Sequence, residues 1–180
     1  FAIAGCNGRD DTAEQSGAAS NEANAMAQDK ANAGESSASM AVADFAAAVA
    51  ASDMYEIESG RLAAEKASSA DLKAMGQMLV ADHQKSTADL KSAAAEARPA
   101  VAVMPALTPE QTQMLEALRS ATPDQFDRTF VEQQKQAHRK ALDLLERYAS
   151  EGDVEALKAF AAKAAPVVKK HLDEVEKLNP

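Results

Sequence analysis

The hydrophobic pattern of the chain changes near Met40. Residues 7–39 are rich in Ala, Asn, Ser, Gly, Asp, Glu and Gln, and Met26 is their only bulky aliphatic residue. Such a segment cannot bury enough apolar surface to offset the entropy that is lost on ordering. The pattern therefore predicts a flexible tether over residues 6–39, in which the alanines permit transient helix, and a folded domain over residues 40–178.

Four stretches of the folded domain carry apolar residues at helical spacing. In the first stretch Phe45, Val49 and Ala63 fall on one stripe, which is typical of an amphipathic helix. The same pattern predicts long helices at about 41–67, 70–96, 123–149 and 153–177. A short extra helix is expected to begin at Pro109, in the connection between the second and third long helices.

Residues that favour helix starts stand before three of these segments. Ser68-Ser69 precedes the second long helix, and Thr108-Pro109 and Thr122-Pro123 each place a capping threonine before a proline. Short turns join the first and last helix pairs, whereas about 25 residues connect the second long helix to the third. This arrangement predicts an all-α, antiparallel four-helix bundle with a long crossover.

The composition supports the all-α prediction and argues against one class of partner. Alanine is the best helix former, whereas the aromatic residues that favour strands make up only 4% of the chain. The formal net charge is -9, and binding to the phosphate backbone of nucleic acids requires basic surface. We therefore expect no nucleic-acid partner.

The first residues match the motif at which bacterial lipoproteins are cleaved and lipidated. Ile3-Ala4-Gly5-Cys6 has an aliphatic residue, two small residues and the only cysteine of the chain. Residues 1–5 are then the end of a signal peptide, and lipid on Cys6 anchors the domain because each buried CH₂ contributes roughly 0.8 kcal/mol. Asn7, which is not aspartate, favours the outer membrane. The alternative is a free cysteine in a disordered terminus. We expect a periplasmic domain anchored to the outer membrane through Cys6.

Each long helix places one metal-capable residue on its apolar stripe. At about 100° per residue, the inward residues are Glu56, His83, His138 and His171, whereas Glu58 points to solvent. Glu56 and His83 lie at similar distances from the first turn and are expected to face each other, with His138 near their level. His171 is expected roughly 9 Å nearer that turn, so a four-ligand site at one level is not predicted.

Two interpretations of these inward residues stay open. Buried polar groups need partners, and a structural polar core with a Glu56–His83 hydrogen bond is the simpler solution. The other is a transition metal, since imidazoles with a carboxylate suit Zn, Cu, Ni or Fe. Catalysis has little support, because the Glu-x-x-His pattern of di-iron bundles, a catalytic nucleophile and a phosphate-binding loop are all absent from the sequence.

Three segments of the folded domain carry a resemblance to a known family. In order, they are YEIESGRLAAEKASSADLKAMGQMLVADHQKSTADL, FDRTFVEQQKQAHRKAL and DVEALKAFAAKAAPVVKKHLDEVEKL. Together they resemble an uncharacterised bacterial family labelled as outer membrane proteins. Its motif positions here are Glu56, Asp82-His83, Phe126-Asp127, His138, Pro166 and His171. The resemblance implies a ferritin-like four-helix bundle, exported to the periplasm or outer membrane, with no established activity.

Three functions are compatible with these observations. The first is a tethered binding or stress-related domain whose protein or small-molecule partner is unknown. The second is a metal-binding or metal-handling protein that uses the inward residues, with Asp82 and Asp127 as secondary candidates. The third is an enzyme on a ferritin-like scaffold, against which the missing Glu-x-x-His counts most.

Overall fold

The computed structural model describes the backbone of residues 18–178 and the side chains of residues 42–178. Its five helices are α1 (Ala18–Lys66), α2 (Ala70–Glu96), α3 (Pro109–Ser120), α4 (Pro123–Glu151) and α5 (Glu155–Val175). No strand occurs within residues 18–178. The predicted all-α fold is confirmed, as is the short extra helix in the crossover.

Helix α1 begins earlier than the sequence pattern predicts. It starts at Ala18 instead of at about residue 41, so the predicted tether is helical from Ala18 onward. This stretch is rich in alanine and contains no proline, and alanine has the highest helix propensity. The compact bundle unit begins at Ser39. Cys6 and the predicted end of a signal peptide lie outside the described residues.

Side-chain caps set the starts of α2 and α3. The Ser69 hydroxyl accepts a hydrogen bond from the backbone N–H of Leu72 at 3.1 Å. Thr108 and Gln111 exchange hydrogen bonds between side chains and backbone, forming a capping box directly before and within α3. These contacts satisfy N–H groups that a helix start leaves without partners. The cap of α2 is therefore Ser69 and not Ser68.

The start of α4 lies beside the α1–α2 turn. The Asp127 carboxylate accepts hydrogen bonds from the Ser68 hydroxyl and from its backbone N–H, the latter at 3.1 Å. Lys66 Nζ donates to the carbonyl of Leu118 at 3.0 Å, just before α4. Since the 27 residues of α2 span about 40 Å, residues 97–122 return the chain along the bundle. The predicted crossover is confirmed.

A polar layer divides the bundle interior into two apolar clusters. The proximal cluster, near the α1–α2 turn, includes Tyr55, Leu79, Leu118, Phe126, Phe130 and Val175. The distal cluster, toward the α4–α5 turn, includes Phe45, Val49, Leu90, Leu145, Leu157 and Phe160. The polar layer between them consists of Asp53, Glu56, Ser59, His83, Gln134, His138 and His171, all buried.

Helix α5 presents a slightly different face to the core than its phase predicts. Val167, which helical spacing places on the same stripe as His171, is 42% exposed, whereas Val168 is buried. Both lie about one turn from His171. Because α5 packs against both α2 and α4, its buried face is wider than the single stripe that helical spacing gives. The centre of that face is also rotated around the helix axis relative to the stripe.

Candidate metal centre

Two glycines set the register between α1 and α2. A Cβ atom on Gly76 would lie 2.5 Å from the carbonyl oxygen of Gly60, and one on Gly60 would lie 2.7 Å from that of Gly76. Only glycine permits so close an approach of two backbones. Asp53 lies seven residues before Gly60, and His83 lies seven residues after Gly76. Two helical turns from the glycines, this register brings Asp53 opposite His83.

The hydrogen-bond partner of His83 is Asp53 and not Glu56. His83 Nδ1 lies 2.8 Å from Asp53 Oδ1, and the Thr87 hydroxyl lies 3.1 Å from the other oxygen of that carboxylate. The predicted hydrogen bond between Glu56 and His83 is therefore wrong, whereas the alternative, in which the two residues share a ligand, stays a prediction. A signal was present in the sequence: Asp53 and His83 both lie fifteen residues from Ser68, whereas Glu56 lies twelve residues from it.

The other two histidines also have one ring nitrogen in a hydrogen bond. His138 Nδ1 lies 3.0 Å from the backbone carbonyl oxygen of Gln134, one turn earlier in α4. His171 Nε2 lies 2.9 Å from Asp82 Oδ2, across the α2–α5 seam. Asp82, a secondary candidate from the sequence, thus belongs to the site. These bonds fix the orientation of both rings.

The three histidines meet in one group. The ring centroids are 6.0 Å apart for His83 and His138, 5.6 Å for His83 and His171, and 5.5 Å for His138 and His171. The expectation that His171 lies well below the other two is therefore wrong. Helical side chains tilt toward the N-terminus of their own helix. Because α5 runs antiparallel to α2 and α4, the His171 side chain tilts away from the α1–α2 turn, whereas those of His83 and His138 tilt toward it. The three rings therefore meet at one level.

The remaining nitrogen of each histidine has no hydrogen-bond partner. One nitrogen from each ring lies within 4.8 Å of the corresponding nitrogens of the other two. The buried nitrogens without partners are His83 Nε2, His138 Nε2 and His171 Nδ1. The outer partners are two carboxylates and a carbonyl, all of which are acceptors. Each ring therefore donates its proton outward, and a neutral ring directs its lone pair inward.

This donor set fits a metal ion. Histidines that bind a metal through one nitrogen usually donate the other N–H to a carboxylate or a backbone carbonyl, which is the arrangement of all three rings here. Two nitrogens that share an ion at about 2.1 Å can be at most about 4.2 Å apart. Separations of up to 4.8 Å therefore require only small side-chain rotations to accommodate one ion.

Glu56 lies beside this group without joining the inner triangle of nitrogens. Its Oε1 atom is 3.8 Å from His138 Nδ1, and its Oε2 atom is buried without a hydrogen-bond partner. Burial raises the pKa of Glu56 to about 7, although the charge of His83 and the neighbouring Gln134 side chain act in the opposite direction. Glu56 is therefore an acidic group whose charge is costly unless a cation lies nearby.

The electrostatics keep two of the three rings neutral. Burial, followed by the charge on His83, lowers the pKa of His138 to about 3. Burial also lowers the pKa of His171, although the hydrogen bond that His171 donates to Asp82 acts in the opposite direction. Burial acts the same way on His83, but the hydrogen bond to Asp53 and the nearby carboxylates outweigh it and raise the pKa of His83. A proton therefore competes with a metal ion for His83, whereas the neutral rings of His138 and His171 each keep a free lone pair.

Besides Asp53, two further polar residues that the sequence pattern did not indicate complete the layer. The Gln134 side-chain amide donates to the Ser59 hydroxyl at 3.1 Å, and that hydroxyl lies 3.3 Å from the carbonyl oxygen of Glu56. Ser59 lies three residues from Glu56, and Gln134 lies four residues from His138, so each shares a helix face with that residue.

Asp127, the other secondary candidate from the sequence, does not belong to the layer. It lies eleven residues before His138, or about 16 Å along α4, so its role is at the Ser68 turn.

A comparison with protein-family models places the chain. The model of a domain of unknown function, DUF4142, matches residues 25–178. The chain belongs to the DUF4142 family. The resemblance to an uncharacterised family is thus confirmed, while its ferritin-like and outer-membrane parts stay predictions. The DUF4142 match covers every residue of the polar layer.

Comparisons with individual proteins add no relative to the DUF4142 match. Neither the curated proteins nor the solved structures contain a match to the chain. As far as the structure describes the chain, none of its helices is sufficiently long and apolar to span a membrane.

Proposed function

We propose that this DUF4142 domain binds one first-row transition metal ion between His83, His138 and His171. Two observations carry the proposal together: the three buried histidines each offer a ring nitrogen within 4.8 Å of the others, and each has one ring nitrogen without a hydrogen-bond partner. A structural polar core does not account for them, because each buried acceptor without a partner costs about 1–3 kcal/mol. A single cation serves as a partner for all three at once.

The chemistry of the donors narrows the class of ion. Imidazole nitrogens suit Zn, Cu, Ni and Fe, whereas Mg and Ca prefer oxygen ligands. A divalent ion also brings positive charge into a region of low dielectric. The carboxylates of Asp53, Asp82 and Glu56 around the histidines supply compensating negative charge. The proposal is therefore a closed, histidine-rich site for an ion such as Zn²⁺.

Metal analysis of purified protein tests this proposal. The bundle should be produced without a histidine tag, stripped of metal with a chelator and titrated with Zn²⁺ by calorimetry. We expect one Zn²⁺ per chain for the wild type and for the control Glu58→Ala, and none at comparable affinity for His138→Ala. Circular dichroism verifies that each variant is folded. Absence of binding by the folded wild type would overturn the proposal.

We further propose that the domain is exported and attached to the outer membrane through lipid on Cys6. The motif Ile3-Ala4-Gly5-Cys6 and the family resemblance support this location. Replacing Cys6 with serine removes the thiol that carries the lipid. We expect Cys6→Ser protein to move from the membrane fraction to the soluble fraction of cells. Co-sedimentation of the variant with the outer membrane would show that the anchor lies elsewhere.

A further inference from the structure

The three-histidine group is closed off from solvent. His83 is 5% exposed, and His138 and His171 are each 1% exposed. The proximal and distal clusters cover the group on both sides along the bundle axis. An ion can therefore reach the inner nitrogens only between two helices.

One seam of the bundle carries a cavity that is lined by a hydrogen-bond partner of the group. A surface cavity of about 130 Å³ lies between α2 and α5. Asp82 and Ser86 line it from α2, and Phe160, Ala164 and Val167 line it from α5. Val167 is among the few large hydrophobic side chains that the described surface exposes. The cavity is thus open to solvent, and Asp82 is one of the residues that line it.

Asp82 connects this cavity directly to the buried histidines. Its side chain is 43% exposed, yet its Oδ2 atom lies 2.9 Å from Nε2 of the buried His171. Asp53, which has the equivalent role for His83, is only 4% exposed at its side chain. The outer partner of His138 is a backbone carbonyl inside α4. Of the three outer partners, Asp82 alone reaches solvent.

The charges around the cavity leave Asp82 accessible to a cation. Lys85 and Lys163 also line the cavity, but both bind the carboxylate of Asp89, at 2.7 and 3.0 Å. Among the described residues, Asp82 forms its one ion pair with His171. The lysines are thus held at Asp89, and Asp82 presents a carboxylate oxygen to the cavity.

We propose that the metal ion enters and leaves through the α2–α5 cavity, with Asp82 as the residue that receives it. This inference rests on the metal site proposed above. A hydrated divalent cation first meets the Asp82 carboxylate, a ligand type that such ions accept. His171 then turns away from Asp82, and its inner nitrogen takes the ion as it passes between α2 and α5. Asp82 is a positioning residue: it guides exchange and orients His171 without belonging to the inner donor set.

Exchange kinetics with Zn²⁺ test the route. Ala164→Leu narrows the proposed cavity, and Ala137→Leu places the same side chain in a separate cavity of about 220 Å³ between α1, α3 and α4. Stopped-flow measurements should give Zn²⁺ uptake and its release to a fluorescent chelator. We expect Ala164→Leu to slow both rates by roughly tenfold, or about 1.4 kcal/mol of added barrier, with an unchanged Kd. Ala137→Leu should exchange at the wild-type rate.

The outcomes separate this inference from the metal site itself. Ser86→Leu, which narrows the cavity from α2, replaces Ala164→Leu if that variant does not fold. If the wild type binds Zn²⁺ but narrowing leaves both rates unchanged, or if Ala137→Leu slows exchange equally, the route is wrong and the site stands. If the wild type binds no Zn²⁺, the site and the route fall together.

Discussion

The polar layer and the two apolar clusters on either side of it affect the stability of the fold in opposite ways. In the clusters, rings and aliphatic chains fill space, as in the parallel Phe126–Phe130 pair with centroids 6.0 Å apart, and burial itself stabilises the fold. In the layer, polar side chains are buried at a cost. Of the six buried side-chain polar atoms without a partner among the described residues, only the Tyr148 hydroxyl lies outside it. The clusters hold the bundle together, and the layer carries the donor atoms of the proposed metal site.

The largest effect on stability is expected in a cluster. Phe130→Ala removes a fully buried ring from the proximal cluster and should lower the free energy of unfolding by about 3–5 kcal/mol. Urea denaturation measures this loss. The exposed Met104→Ala is the control and should stay within about 0.5 kcal/mol of the wild type. A Phe130→Ala protein as stable as the control would contradict the assignment of the cluster as the main source of stability.

The second largest effect on stability is expected when the metal is removed, because the metal is proposed to bind in the layer and not in the clusters. At free Zn²⁺ one hundred times its Kd, binding should stabilise the folded domain by about 2.7 kcal/mol, so a chelator should lower the wild-type Tm. The same chelator should leave the Tm of His83→Ala unchanged, because that variant lacks one of the three nitrogens. Thermal unfolding with and without chelator measures both. An equal response of the two proteins would place the metal outside the layer.

A smaller effect tests the outer partners of the histidines. Asp53→Asn keeps the size of the side chain but weakens the hydrogen bond that orients His83, and should lower Zn²⁺ affinity ten- to hundredfold. This corresponds to about 1.4–2.8 kcal/mol. Glu110→Gln, on an exposed residue that binds Lys140, is the matched control for loss of a carboxylate. Titration with Zn²⁺ compares them, and equal affinities would show that Asp53 does not support the site.

The smallest effect compares two acidic residues on α1. Glu56 is buried in the layer, whereas Glu58 pairs with Arg61 at the surface. Removal of the buried side chain leaves a cavity inside the layer, so Glu56→Ala should cost about 0.5–3 kcal/mol. Glu58→Ala should cost much less, because exposed ion pairs contribute about 0–1 kcal/mol. Equal melting temperatures of the two variants would mean that Glu56 has no role in the packing of the layer.

The sequence by itself determined the helices and, with the exception of α5, the faces they bury. Pro109 and Pro123 mark helix starts because proline suits the first helical position. The helical period turns Glu56 inward and leaves Glu58 half-exposed. These features depend on neighbours within a few residues, which is why local pattern suffices. The early start of α1 at Ala18 is the local exception, since an alanine-rich polar stretch suits both helix and tether.

The tertiary structure decided which buried groups meet, although equal distances from Ser68 already favoured Asp53 as the partner of His83. The Gly60–Gly76 approach fixes the register of α1 against α2 and so assigns Asp53 to His83. The opposite tilts of side chains on antiparallel helices bring His171 to the level of the other histidines. Periodicity gives the direction of a side chain around its helix axis. The height at which it meets a neighbour depends on how closely the helices pack and how they slide past one another.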